Sequence, residues 1–223
     1  MPFASFDGAR TLDRAPLLQA RKGGKNLYMK MMEMTCAILA GGRSLRMGRD
    51  KATITIGNRP LVSRVYDVAR TIFDRILIVS NYHTTIEGVE APIVPDVLPQ
   101  RGPMVGIVSA LLHATTPYVF VLGCDMPFVE EGAIRFVAGQ AFGYDIVIPK
   151  TEKGYEPLHA VYSRVTISPL LTHIERGRFR IPEVFPFVTV HVVEGPGLSE
   201  AGGFSIFTNL NTEEDLVRAR TRL

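Results

Sequence analysis

The sequence predicts a single three-layer α/β/α domain built on a mostly parallel sheet. Short apolar runs recur along the chain, at Cys36–Ala40, Arg75–Asn81 and Tyr118–Leu122, and such runs mark strands buried on both faces. Segments with apolar residues at helical spacing lie between them, and strand–helix–strand alternation is the mark of parallel βαβ units. A length of 223 residues, with 46% hydrophobic and 21% charged content, suits one domain with a sizeable core.

Taken in order, the first buried strand is Cys36-Ala37-Ile38-Leu39-Ala40, followed at once by Gly41 and Gly42. Thr53–Ile56 alternates polar and apolar as a half-buried strand does. Pro60, after the turn Gly57-Asn58-Arg59, suits the first position of a helix carrying Leu61, Val65, Val68, Ala69 and Ile72 on one face. Arg75–Asn81 completes the first βαβ unit. Pro92–Pro95 is a short apolar segment leading to Asp96, and Gly102-Pro103 opens an apolar helix to about Ala114, with free N–H groups expected at its start. Tyr118–Leu122 is a strand ending in Gly123-Cys124-Asp125-Met126-Pro127. A helix over Glu131–Gln140 and a strand over Asp145–Pro149 follow, then a turn into a strand over Tyr155–Tyr162. Ser168 is expected to cap a helix to Glu175 with Pro169 in its first position, and Val188–Val193 is the last core strand. Thr212 and Asp215 form a capping pair for a terminal helix, with Asp in place of the usual Glu.

The formal charge is +3, and Arg10, Arg14, Arg21, Lys22, Lys25 and Lys30 against Asp7, Asp13 and Glu33 account for all of it. The basic excess therefore sits in the tail, and no nucleic-acid surface is expected. Cys36 and Cys124 are the only cysteines, both in or beside apolar runs, and read as small core residues in a reduced, cytoplasmic protein. No run approaches the 18 apolar residues of a membrane span. Met29, Met31, Met32 and Met34 cluster before the first strand. One of these methionines is expected to be the natural start, and residues 1–33 are expected to form a poorly ordered extension, with the domain over 34–223.

Between the first two strands, Arg43, Arg46, Arg49 and Lys51 face one acid, Asp50, with a third glycine at Gly48. A strand end, bare backbone N–H groups and converging cations describe a polyphosphate cradle. Neither familiar phosphate loop is present. Five residues separate Gly42 from Gly48 and Arg49-Asp50 follows, which excludes the Walker A spacing, and G-x-G-x-x-G is absent.

Leu39 to Ala52, LAGGRSLRMGRDKA, resembles the signature L-A-G-G-x-S-x-R-M-G-x-D-K of the molybdenum cofactor guanylyltransferases, within the wider nucleotidyltransferase superfamily. The resemblance covers roughly 35–220 and departs from the pattern in the N-terminal extension and at Thr53. It implies a Rossmann-like nucleotidyltransferase domain that transfers GMP from GTP to molybdenum-bound molybdopterin with Mg²⁺. The same resemblance implies that the N–H groups of Leu39, Ala40, Gly41 and Gly42 hold GTP together with Arg46 and Lys51. Lys51 counters charge on the leaving group. Asp125 binds magnesium, Asp96 contacts the nucleotide, and the Arg101–Gly106 segment with Gly102 closes over base and ribose. Asn209 and Asn211 match a family N-x-N-T element, either completing the metal site or capping the last helix. The pterin is expected over the later part of the sheet, with Glu156, Pro157, Leu158, His159, Arg176, Arg178 and Arg180 as candidates. Transient contacts with other cofactor-biosynthesis proteins and recipient enzymes are implied as well.

The chemistry agrees with the residue types. The acceptor phosphate is already ionised near neutral pH, so the reaction needs charge neutralisation and in-line alignment rather than a general base. A carboxylate at the end of a central parallel strand is well placed to hold Mg²⁺ against phosphate oxygens. A cytidylyltransferase of the same cofactor, expected to carry L-A-A-G in place of Leu39-Ala40-Gly41-Gly42, and a non-catalytic nucleotide or cofactor carrier are the alternatives.

Overall fold

The computed structural model describes residues 34–41, 54–56, 59–195, 207–208, 210 and 212–220. The first strand, β1 (Met34–Leu39), is buried at every position. It pairs in parallel with β4 (Arg75–Val79) on one side and with β6 (Tyr118–Gly123) on the other. β5 (Ile93–Val94) extends the sheet beyond β4, also in parallel. Beyond β6 come β9 (His159–Ser163), β7 (Ile146–Thr151) and β10 (Val190–Val193), giving the order β10-β7-β9-β6-β1-β4-β5. A short β8 (Gly154–Tyr155) pairs with β7, and β2 (Thr55–Ile56) and β3 (Arg59–Pro60) form a separate hairpin.

The sheet is mostly parallel; along its main path β9 is the antiparallel strand, and the short β8 also pairs antiparallel with β7. Chain length gives the reason: residues 152–158 join β7 to β9, too few for the crossover of about a dozen residues that a parallel return needs.

Period-2 alternation divides the core into two layers. Cys36, Ile38, Phe120 and Leu122 face α1 (Leu61–Ala69) and α3 (Glu131–Ala138), through Val62, Val65, Ala133, Ile134 and Val137. Ala37, Leu39, Val119 and Val121 face α2 (Pro103–His113) and α4 (Ile167–Glu175), through Val105, Val108, Leu111 and Leu170. The expected three-layer arrangement is the one observed, and Cys36 and Cys124 are both buried as expected. A third cluster closes the chain's end onto the hairpin: Ile54, Ile56 and Leu61 pack with Leu210, Leu216 and Ala219 of and before α5 (Glu213–Arg220).

Some boundaries differ from the sequence reading. Pro60 is the N-cap of α1, not its first residue: at ψ 145° it is still extended and pairs with Thr55. Ile72 falls in the turn after α1. α4 is led in by a 3-10 turn over Arg164–Thr166, so Thr166 precedes it and Ser168 and Pro169 lie inside its first turn. The Thr212–Asp215 pair is as expected. The Thr212 N–H donates to Asp215 Oδ2 at 2.9 Å and the Asp215 N–H to Thr212 Oγ1 at 3.1 Å. The extension expected over 1–33 lies outside the described residues. Among the described residues no helix is long and apolar enough to cross a membrane.

Candidate functional site

Parallel strands leave backbone groups unpaired at their carboxyl ends, and open α/β sheets bind ligands there. The ends of β5, β4, β1 and β6 lie side by side in that order. Across them runs a pocket of ≈ 260 Å³ whose lining includes Leu39, Gly41, Asn81, Asp96, Gly102 and Asp125.

At the β5–β4 side the Asp96 carboxylate is held from two directions. Asn81 Nδ2 donates to Asp96 Oδ2 at 2.8 Å, and the Asp96 N–H returns a bond to Asn81 Oδ1 at 2.8 Å. Ser109, fully buried on α2, places its Oγ 3.1 Å from Asp96 Oδ1 and 2.8 Å from the Val105 carbonyl, and accepts from the Val97 N–H at 3.0 Å. A carboxylate fixed this way presents its remaining lone pairs to the pocket in one orientation.

At the β6 side Asp125 is 8% exposed and forms part of the pocket wall. Its carboxylate folds back over its own strand: a β-carbon on Gly123 would stand 2.7 Å from Asp125 Oδ1, so a larger residue there would have to push the carboxylate aside. The Leu210 N–H donates to the Asp125 carbonyl at 3.0 Å, tying the segment before α5 to this strand end.

Gly41 lies between the two acids, where a β-carbon would stand 4.0 Å from Asp96 Oδ2 and 3.9 Å from the Val79 carbonyl. Gly102 takes φ 130°, a conformation that favours glycine, to turn the chain into α2. Two sequence expectations are corrected here. Ala40 is fully buried and its N–H donates to the Val79 carbonyl at 2.9 Å, so it shapes the sheet rather than lining the pocket. The first turn of α2 is less open than expected, because the Val105 and Gly106 N–H groups both close onto the Gly102 carbonyl. Gly42, Arg46, Lys51, Asn209 and Asn211 lie outside the described residues.

In the sequence Asn81 stands only as the polar end of an apolar strand, and Ser109 does not stand out. The strand-end rule that singled out Asp125 applies equally to Asn81, a polar residue closing an apolar strand. Ser109 carries no such signal, being one small polar residue inside an apolar helix.

The candidates for a second substrate separate. Leu158 lines the main pocket. Glu156 lines a second cavity of ≈ 190 Å³ with Thr151, Glu152, Lys153 and Phe207, so the turn Glu156–Leu158 stands between the two. Thr151 Oγ1 donates to Glu156 Oε1 at 3.1 Å, and burial pushes the Glu156 carboxyl above the usual range. His159 faces the opposite layer, fully buried between the Phe120 and Phe207 rings at 5.3 and 5.2 Å, and cannot meet a ligand. Arg176, Arg178 and Arg180 are exposed after α4 and line neither cavity.

Residues 36–183, which run from β1 past the end of α4 and include every described residue of the main pocket, match the MobA-like NTP transferase domain. The chain belongs to this family. It is 33% identical to a molybdenum cofactor guanylyltransferase of Desulfosudis oleivorans over 196 residues, 86% of this chain and 97% of that one. The crystal structure of molybdopterin-guanine dinucleotide biosynthesis protein A from Archaeoglobus fulgidus aligns with a TM-score of 0.74 at 26% identity, over 85% of this chain and 98% of that one. The 2-C-methyl-D-erythritol 4-phosphate cytidylyltransferase of Thermus thermophilus aligns with a TM-score of 0.66 at 16% identity, over 86% and 98%. At that identity the likeness speaks for the fold, which family members share with other nucleotidyltransferases.

Proposed function

We propose that this chain is a molybdenum cofactor guanylyltransferase. It transfers GMP from GTP to molybdenum-bound molybdopterin, forming the molybdopterin guanine dinucleotide cofactor and releasing pyrophosphate. The observation that carries the reading is the polarity of the main pocket: a hydrogen-bonding pair, Asn81 and Asp96, at one end, Gly41 in the middle and Asp125 at the other. Three strand intervals separate β5 from β6, roughly 14 Å at the usual spacing, which matches an extended nucleoside triphosphate.

In this arrangement Asp96, braced by Asn81 and Ser109, accepts from the N–H groups on the guanine edge. The bare backbone at Gly41 lets the phosphates approach the sheet, and Gly42, Arg46 and Lys51 continue the cradle by the resemblance. An oxygen of the acceptor's phosphate attacks the α-phosphorus of GTP, the α–β bond breaks and its electron pair leaves with pyrophosphate. Asp125 is the residue that would hold a magnesium ion. Its carboxylate is buried against the pocket, and among the described residues no cluster of three ligating side chains accompanies it. That donor set suits an ion which keeps water and binds through one or two carboxylates plus substrate phosphates. When bound, the ion would neutralise the charge growing on the leaving oxygens. The acceptor's ring system would lie over β7 and β9, where Glu156 borders the second cavity. The reaction belongs in the cytoplasm, with transient contacts to proteins that supply and receive the cofactor.

The test is pyrophosphate release with GTP, Mg²⁺ and purified molybdenum-bound molybdopterin, run beside CTP and ATP. GTP-selective release is expected. Release with CTP alone would move the chain to the cytidylyl reaction, and none with any nucleotide would leave a carrier.

A further inference from the structure

We infer that Tyr82 forms the stacking wall for the nucleobase in the main pocket. The inference rests on the guanylyltransferase reading above and adds to it a binding residue that the sequence signature does not contain.

Tyr82 is the single aromatic residue among the described residues that line this pocket, and 41% of its surface is open. An exposed tyrosine is ordinary in itself; its position is what matters. It directly follows Asn81, whose side chain holds Asp96. The ring therefore stands at the end of the pocket where the polar edge of a base is read, beyond β4 and two strand intervals from the β6 end that carries Asp125. The backbone there is pinned, since the Tyr82 N–H donates to Oγ of the buried Ser80 at 3.3 Å and the Ser80 N–H donates to the Val94 carbonyl at 2.9 Å. Among the described residues its ring is stacked on no other ring. A flat apolar face beside a hydrogen-bonding pair provides the two things a base requires: a stacking surface for its plane and partners for its edge.

The two parts differ in what they distinguish. Stacking accepts any base, because every base has a π-face, whereas the Asn81–Asp96 pair distinguishes bases by their donors. Tyr82 therefore sets affinity and Asp96 sets selectivity. Tyr82→Ala should raise the Kd for GTP about tenfold while the preference for GTP over ATP stays as it was. Asp96→Asn should narrow that preference.

The chain contains no tryptophan, so Tyr82→Trp installs a single reporter. With Mg²⁺ present, GTP should quench its emission, with a midpoint equal to the calorimetric Kd of the same variant. Tripolyphosphate, which fills the cradle without a base, should leave the emission unchanged. Tyr82→Phe keeps the ring and should bind GTP as the wild type does, which guards against a folding defect in the alanine variant. Unchanged emission while calorimetry records GTP binding would overturn the stacking wall and leave the guanylyltransferase reading intact. Equal quenching by tripolyphosphate, or an unchanged Kd for a folded Tyr82→Ala protein, would do the same. Failure of the wild-type chain to bind GTP at all would overturn both.

Discussion

The Asp125 carboxylate occupies the space that a side chain on Gly123 would need, with Oδ1 2.7 Å from the ideal β-carbon position. The acid at the pocket wall and the glycine two residues before it are thus one device. Asp125→Asn keeps the shape but removes the negative charge, and kcat should fall about a hundredfold or more with the melting temperature little changed. Gly123→Ala leaves the acid in place but forces its carboxylate aside, so it too should slow turnover, by about tenfold. Pyrophosphate release at saturating GTP reads both. Full activity in Gly123→Ala would show that the carboxylate can work from elsewhere.

Asp96 is held by Asn81 and by Ser109 from opposite elements. Asn81→Ala removes the bond to Oδ2 and should raise the KM for GTP about tenfold, with a smaller effect on kcat. Ser109→Ala removes a buried hydroxyl that also accepts the Val97 N–H, and should cost about 1–2 kcal/mol of stability in addition to a few-fold rise in KM. Ser109→Thr restores the hydroxyl, and recovery of KM in that variant is the expected result. No recovery in a folded protein would assign Ser109 to packing alone.

Glu156 borders the second cavity and not the first. Glu156→Gln should therefore raise the KM for the molybdopterin substrate about tenfold, the scale of one hydrogen bond to a charged group, and leave the KM for GTP alone. Equal effects on both substrates would mean that the turn between the cavities has moved.

Much of this was legible in the sequence, and the physics explains which parts. Continuous apolar runs such as Ile76-Leu77-Ile78-Val79 identify parallel strands because both faces are covered, and the capping pair Thr212–Asp215 is readable because its chemistry is local. The strand-end rule singled out Asp125 and the family resemblance singled out Asp96, and both line the main pocket. What stayed hidden depends on distant partners. Ser109 matters because α2 crosses the sheet at Asp96, thirteen positions back in the chain. His159 looked like a ligand candidate beside Glu156, yet strand alternation turns it to the opposite layer from the one Leu39 faces. Ala40 reads as part of the cradle by motif, but its N–H belongs to the sheet.

The cap itself gives a simple stability test. Thr212→Ala removes the acceptor for the Asp215 N–H and should cost about 1 kcal/mol, a fall of a few degrees in melting temperature for a domain of this size. No change would mean that the helix end is satisfied by other groups.

His159 makes the fold sensitive to acid. Neither ring nitrogen finds a well-formed hydrogen bond, and burial pushes its pKa from 6.5 down to about 4, with the Ala133 backbone opposing the shift only in part. The sign follows from linkage. In the unfolded chain the imidazole takes up a proton below about pH 6.5, whereas in the folded chain it resists until about pH 4. Protonation therefore favours unfolding: stability is intact above the unfolded value and falls as pH drops through the window between the two. The loss is of the order of 3 kcal/mol across the window. Carboxylates titrate near its lower edge, so the wild type alone does not isolate the histidine. His159→Phe keeps an aromatic ring between Phe120 and Phe207 and removes the proton site, and its stability should fall less between about pH 7 and about pH 4.5 than that of the wild type. Denaturant melts at the two pH values measure this directly. Parallel losses in the two proteins would show that a neutral buried imidazole is not what limits the fold in acid.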